Sequence, residues 1–260
     1  MASQAFTAAV VLVLCIAPAG AWTPETRAQM VRDAVSLSPP SLQRMLERYR
    51  RPLMRGMKTR VSEAEAGHFQ HADGSGRLVE AAATSLQTLR QALESGEALK
   101  RIAYRMGRVA HLVGDLNNPL ASSADDPREA LYAEDFARYV ERMLPKYRRT
   151  LKRREPAGLD DESLRAWARQ AVERARELYE PIGRSYWIDG KLVRSESFDE
   201  RSIPFGVGSL AYARAVNDLI QAWMVIWRES GGDVSGSLYE QLLQRSDETA
   251  GVEKARSSSK

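Results

Sequence analysis

The stretch "RVAHLVGDLNNPLASSADDP", residues 108–127, decides how this chain is read. It closes a helical segment that begins near residue 97. Leu99, Ile102, Ala103, Met106, Ala110 and Val113 recur there at intervals of three and four, the stripe of one helix face. His111 and Asp115 stand four residues apart on the same segment, so an imidazole and a carboxylate share a face. Rotation by about 100° per residue places that pair opposite the apolar stripe, near Tyr104 and Arg108. Pro119 breaks the helix, and Ala121 follows. A neutral imidazole and a carboxylate are both good zinc ligands. The same spacing equally suits a hydrogen-bonded or solvated pair at a helix end.

Working outward, helical signals dominate. Thr23 and Pro24 open a helix whose apolar positions are Met30, Val31, Ala34 and Val35. Pro39-Pro40 ends it, and "SLQRMLERYRRPLM" (41–54) reads as the next. Further helices are expected over 77–95, 97–117, 127–147 and 160–180, the last capped by Asp160 or Asp161. "YWIDGKLVRS" (186–195) reads as a hairpin turning at Asp189-Gly190. A long helix over about 207–229 carries Tyr212, Val216, Leu219, Ile220, Trp223 and Trp227 on one face and stops at Gly231-Gly232. The sum is an all-α fold of six or seven helices over 22–245, followed by a polar, disordered tail over 246–260.

The first 21 residues differ from the rest. They carry no charge, hold an apolar run from Ala8 to Ala17, and end in Ala19-Gly20-Ala21. That pattern reads as a signal peptide cleaved before Trp22, hence an exported protein, periplasmic or secreted. Cleavage removes Cys15, the only cysteine, which excludes disulfides and thiolate chemistry from the mature chain. No other segment is apolar enough to span a bilayer, so the mature chain is expected to have no transmembrane helix. The formal net charge of +4 permits phosphate-bearing partners without requiring them. The basic run "KYRRTLKRREP" (146–156) could attract anionic lipid or nucleic acid, or be a solvated helix end. Few aromatics interleave it, so nucleic acid is the less favoured partner.

Three histidines are present: His68, His71 and His111. "GHFQHADGSG" (67–76) places the first two in a Gly-rich loop, where a histidine can present a ligand or simply occupy a polar turn.

Together, "AWTPETR" (21–27), "GHFQHADG" (67–74) and "VAHLVGDLNNPL" (109–120) resemble, in order and spacing, the zinc-dependent phospholipase C family, whose fold single-strand-specific nucleases share. The resemblance covers roughly residues 22–145, and "AYARAVNDLIQAWMVIW" (211–227) extends it less specifically. It implies an all-α, single multi-helix domain of the zinc-dependent phospholipase C/nuclease type. It also implies a metal cluster built on the mature N-terminal Trp, here Trp22, with His68, His111 and Asp115 as further ligands. Arg27 stands where an early His ligand is expected. No Asp lies upstream of His68; Glu63 and Glu65 are the nearest substitutes. Ala121, Ala133 and Ala137 fall on three more ligand positions, while Phe136, Tyr139 and Val140 keep the apolar pattern and Asp135 points elsewhere. Guanidinium does not deprotonate in proteins, so Arg27 repels a neighbouring cation. It is expected to replace a zinc electrostatically by pairing with Asp115.

These residues support at most one zinc. Three functions follow. The first is a non-hydrolytic member of this family that binds a phospholipid headgroup, another phosphorylated ligand or a protein. The second is a phosphodiester hydrolase with a reduced, single-zinc site. The third is a structural helical module whose old cleft is filled by side chains.

Overall fold

In a computed structural model, residues 22–59, 65–148, 152, 154–238 and 240–241 are described. The segment expected to be a signal peptide (1–21), the expected 246–260 tail, Glu63, the Glu65 side chain and part of the basic run lie outside the described residues.

Thr23 caps α1 (Pro24–Leu37), its hydroxyl accepting from the Thr26 amide at 3.1 Å. Pro40 opens α2 (Pro40–Arg48), and α3 (Arg50–Lys58) follows. The segment expected as one helix over 41–54 breaks at Tyr49, whose φ of −108° and ψ of 32° are not helical. Next come α4 (Leu78–Glu94) and α5 (Leu99–Leu116). Pro119 ends the α5 run but also starts a short turn, α6 (Pro119–Ser122), capped by Asn118 Oδ1 on the Leu120 amide at 2.8 Å.

The expected helix over 127–147 is α7 (Ala133–Met143) flanked by two 3₁₀ turns, the second holding Pro145. Asp160 caps α8 (Asp161–Arg176) through the Ser163 amide at 2.9 Å. A separate helix, α9 (Tyr179–Tyr186), then appears where none was expected. Pro181 lies in its first turn, where a missing N–H costs nothing. The hairpin pairs β1 (Trp187–Ile188) with β2 (Lys191–Leu192) through Asp189 and Gly190, both at positive φ. Finally α10 (Ile203–Glu229) starts earlier than expected because Pro204 suits its first turn. The described residues thus hold ten α-helices and one two-stranded hairpin, an all-α fold. No helix among them is long and apolar enough to cross a membrane.

Two helices organise the core. α10 buries every residue from Ala215 to Ile226. α5 packs against α1, α3, α4, α8 and α10, and residues 109–123 are buried without exception. Its crossing with α3 is backbone-close. A Cβ on Gly56 would lie 1.9 Å from the Tyr104 carbonyl oxygen, and one on Gly107 would lie 2.0 Å from that of Leu53. Only glycine at both positions lets the helices approach this far.

Within the basic run, the backbone of Lys152 and Arg154 is tied to α8 and α10, while Lys146, Arg148 and Lys152 are exposed. The Lys152 amide donates to Asn217 Oδ1 at 2.9 Å, Gln221 donates to the Lys152 carbonyl at 3.1 Å, and the Trp167 indole donates to the Arg154 carbonyl at 2.8 Å.

Candidate metal centre

His111 and Asp115 are not on a solvated face. Both are buried, because neighbouring elements cover the C-terminal half of α5, whereas its first turn, Leu99 included, is exposed. The last turn of α5 gathers the other singled-out residues. Trp22, buried at the start of α1, donates its indole N–H to the Gly114 carbonyl at 2.7 Å. Arg27, one turn along α1, reaches the His111 carbonyl with Nη1 at 3.2 Å. Its Nη2 lies 2.7 Å from Asp115 Oδ1, an ion pair whose N–H is not aimed along the contact. His68, at the end of a 3₁₀ turn, brings Nδ1 to 3.0 Å from Asp115 Oδ2.

Three donor atoms therefore meet at one point. Asp115 Oδ2 to His68 Nδ1 is 3.0 Å, Asp115 Oδ2 to His111 Nε2 is 3.4 Å, and the two ring nitrogens are 3.3 Å apart. Ligands about 2.0–2.1 Å from a tetrahedral zinc stand about 3.3 Å from one another, so the triangle fits one face of such a site. The opposite nitrogen of His111, Nδ1, lies 2.7 Å from the Met57 carbonyl. Donating there fixes the ring with Nε2 toward the cluster, the support that metal-binding histidines usually have. Met57 acts through its backbone, which no side-chain pattern announces. His68 has no equivalent support among the described residues, where its buried Nε2 finds no hydrogen-bond partner. These three side chains could hold one metal ion.

Electrostatics favour the ionised carboxylate. Burial alone pushes Asp115 up, but the Arg27 charge and hydrogen bonds from His111 and His68 overcome it and hold the group far below the usual carboxylate range. Arg27 thus already supplies positive charge to Oδ1, the carboxylate oxygen outside the donor triangle.

The remaining positions do not contribute ligands. Ala121, Ala133 and Ala137 are all buried, and the His68 loop lies over the first, with the Gln70 amide donating to the Ala121 carbonyl at 2.9 Å. Phe136, Tyr139 and Val140 fill the core from α7. Asp135 faces another way, accepting from Tyr186 at 2.8 Å and from the Ser195 amide at 3.0 Å. His71 stacks on Phe69 at 4.6 Å, away from the cluster, and burial lowers its basicity.

A second buried polar group escaped sequence reading. Asp218 on α10 pairs with Arg174 of α8 at 2.8 Å and accepts from Asn117 at 3.1 Å. Burial nonetheless pushes its carboxyl above the ordinary value. An acid among the apolar positions of α10 was the signal for it.

No protein-family model and no curated protein sequence matches this chain. Among solved structures it is similar to the alpha toxin from Clostridium absonum, with a TM-score of 0.58 and 16% identity over 81% of this chain. The chain spans 64% of that toxin chain. At this identity the likeness is one of fold: the chain is an all-α protein that shares the helical fold of that toxin.

Proposed function

We propose that this chain is an exported, degenerate relative of the zinc-dependent phospholipases C. In this reading it keeps at most one metal position, at His68, His111 and Asp115, and binds a phosphorylated ligand without hydrolysing a phosphodiester. The observation that carries the reading is the contact of Arg27 Nη2 with Asp115 Oδ1 at 2.7 Å, both side chains being largely buried. A permanent cation on that oxygen excludes a second metal from sharing the carboxylate. The burial of Ala121, Ala133 and Ala137 supports it further, since those positions offer neither ligands nor room.

A second reading, a hydrolase with a single zinc, is favoured by the triangle of donor atoms. A zinc held there supplies Lewis-acid chemistry toward a phosphoryl oxygen. The chain's own part would be orientation: Met57 fixes His111, and Arg27 fixes Asp115.

Elemental analysis of the purified exported protein, then phosphodiesterase assay with added zinc, separates the two. The first reading expects zinc at or below one per chain and no useful turnover of phosphatidylcholine or single-stranded DNA. Turnover above roughly 1 per second, the low end of typical enzymes, would establish the second. Mass measurement of the same sample is expected to place Trp22 first.

A further inference from the structure

The chain's formal net charge of +4 is concentrated in one place. α2 and α3 together hold Arg44, Arg48, Arg50, Arg51, Arg55 and Lys58 against one acid, Glu47, an excess of five positive charges. The rest of the chain therefore sums to −1. All six cations are exposed. Tyr49 interrupts the helix, but the i to i−4 pattern holds on both sides of it. Its amide donates to the Met45 carbonyl at 3.1 Å, and its carbonyl accepts from the Leu53 amide at 3.1 Å. Arg44, Arg48, Arg51, Arg55 and Lys58 recur at intervals of four and three, so they form one stripe about 20 Å long. On α3 that stripe lies opposite Leu53, Gly56 and Met57, the face packed on α5.

Among the described residues, none of the six has an ion-pair partner. Glu47 accepts from the Gln43 amide group at 2.9 Å. Asp233 feels the Arg44 charge, but its carboxylate accepts from the Ser235 amide at 2.8 Å. Nearest in sequence, residues 60–66 hold Arg60, Glu63 and Glu65, a net charge of −1, and residues 242–260 sum to +1. Neither segment carries enough negative charge to cancel the excess. An apolar groove adjoins the stripe. It is a cavity of about 240 Å³ shared by α1, α2 and α3. Val31, Val35, Leu46 and Met54 supply its apolar lining, with the exposed Glu47 and Arg50 beside them. Glu47, Arg50 and Met54 repeat the spacing of the stripe one residue away from it, so groove and stripe are neighbouring sides of the same helix pair.

A row of guanidinium groups beside an apolar groove matches a bilayer surface that carries negative charge. The cations meet headgroup phosphates, and the groove meets the acyl boundary beneath them. Nucleic acid fits this face less well. Arg48 lies over the Tyr49 ring at 5.8 Å and Arg55 over the Tyr104 ring at 5.3 Å, so neither ring is open to stack a base. We propose that α2 and α3 dock this protein on an anionic phospholipid bilayer, with Arg44, Arg48 and Arg51 on the headgroups and the groove at Met54 on the acyl boundary. The lipid contact then falls on α2 and α3 and not on the 146–156 run, whose Lys146 is paired with Glu200. No ligand of the metal centre takes part, so the docking face stands apart from the proposed function.

The test is co-sedimentation of the purified exported protein, in EDTA, with vesicles of phosphatidylcholine alone and of phosphatidylcholine containing a quarter phosphatidylglycerol. Binding is expected only to the anionic vesicles. It should weaken at least about tenfold as salt rises from about 0.1 to about 1 M and the screening length shrinks from about 10 to about 3 Å. Each cation near such a surface contributes roughly fivefold, so Arg44→Gln, Arg48→Gln and Arg51→Gln together should weaken binding on the order of a hundredfold. Their thermal melt should match the parent protein's, since all three side chains are exposed. Arg138→Gln, Arg184→Gln and Lys191→Gln remove the same charge from exposed positions of α7, α9 and β2 and should bind like the parent. Met54→Gln, close in volume, should weaken binding roughly fourfold, the contribution of about one buried methylene. Binding that survives the α2–α3 triple and is lost in Lys146→Gln, Arg148→Gln and Lys152→Gln would overturn the proposal in favour of the basic run. Tighter binding to a single-stranded oligonucleotide than to the vesicles, lost in the α2–α3 triple, would replace the lipid with a nucleic acid. Equal binding to phosphatidylcholine alone, or none to either vesicle, would overturn the docking face outright. A Met54→Gln protein that binds like the parent would remove the groove from it.

Discussion

Arg27→Met should be the most informative substitution in this protein. It removes the fixed cation from Asp115 Oδ1 and leaves a carboxylate whose side chain is 1% exposed. Breaking a buried ion pair by deleting one partner typically costs about 3–5 kcal/mol. His68 and His111 still bond the other oxygen, so a loss of roughly 2–4 kcal/mol is expected here. At about 2–4 °C per kcal/mol for a domain of this size, the melting temperature should fall by roughly 4–16 °C. Zinc should then restore it. The substitution removes the charge that opposes a metal, and a ligand at about a hundred times its Kd returns roughly 2.7 kcal/mol. The pH dependence follows with a definite sign. The native carboxyl of Asp115 is held below its unfolded value, so its contribution is complete above about pH 4 and is lost as pH falls further. In Arg27→Met the upward push of burial is less opposed, so acid destabilisation should begin at higher pH. Thermal melts from pH 3 to 8, with EDTA or zinc, read all three effects. A variant that melts with the parent protein, or a zinc shift equal in both proteins, would refute the assignment of Arg27 as the resident cation.

Restoring the lost ligands together, as Ala121→His, Ala133→His and Ala137→Glu, should not rebuild a second metal position. Those side chains are 4%, 1% and 4% exposed, and overpacking costs typically about 1–3 kcal/mol each, so a lower melting temperature with zinc still at or below one per chain is expected. A second bound zinc with new hydrolysis would show that the flank can open. Gly56→Ala and Gly107→Ala should each destabilise by at least about 1–3 kcal/mol in denaturant titration, because the new Cβ meets backbone at 1.9 and 2.0 Å. Gly206→Ala on α10, with nothing within 4 Å, should be neutral or stabilising by up to about 1 kcal/mol and serves as the control. Arg174→Met should behave oppositely to Arg27→Met in pH. Burial already raises Asp218, so without its partner the folded state favours the protonated acid and stability should drop as pH rises from 4 toward 8. A flat difference between the two proteins across that range would remove Asp218 from the account.

The amino-acid sequence by itself determined what is local. Thr23, Asp160 and the Asp189-Gly190 turn mark element ends because their side chains or backbone freedom act within a few residues. The four-residue spacing put His111 and Asp115 on one face, and the identities of Ala121, Ala133 and Ala137 excluded ligands there. The resemblance carried Arg27 and His68 to the same place. Tertiary structure decided the rest. Periodicity describes the faces of one helix but not what covers them, so the His111–Asp115 face reads as solvated, whereas the helices packed on α5 bury its C-terminal half on every face. The backbone acceptor at Met57 and the close crossing at Gly56 and Gly107 depend on α3 lying against α5, and no pattern within either helix encodes that. The breaks at Tyr49 and before Tyr179 were missed for the same reason: each chain segment turns to follow a neighbour's surface, and packing outweighs weak local propensity.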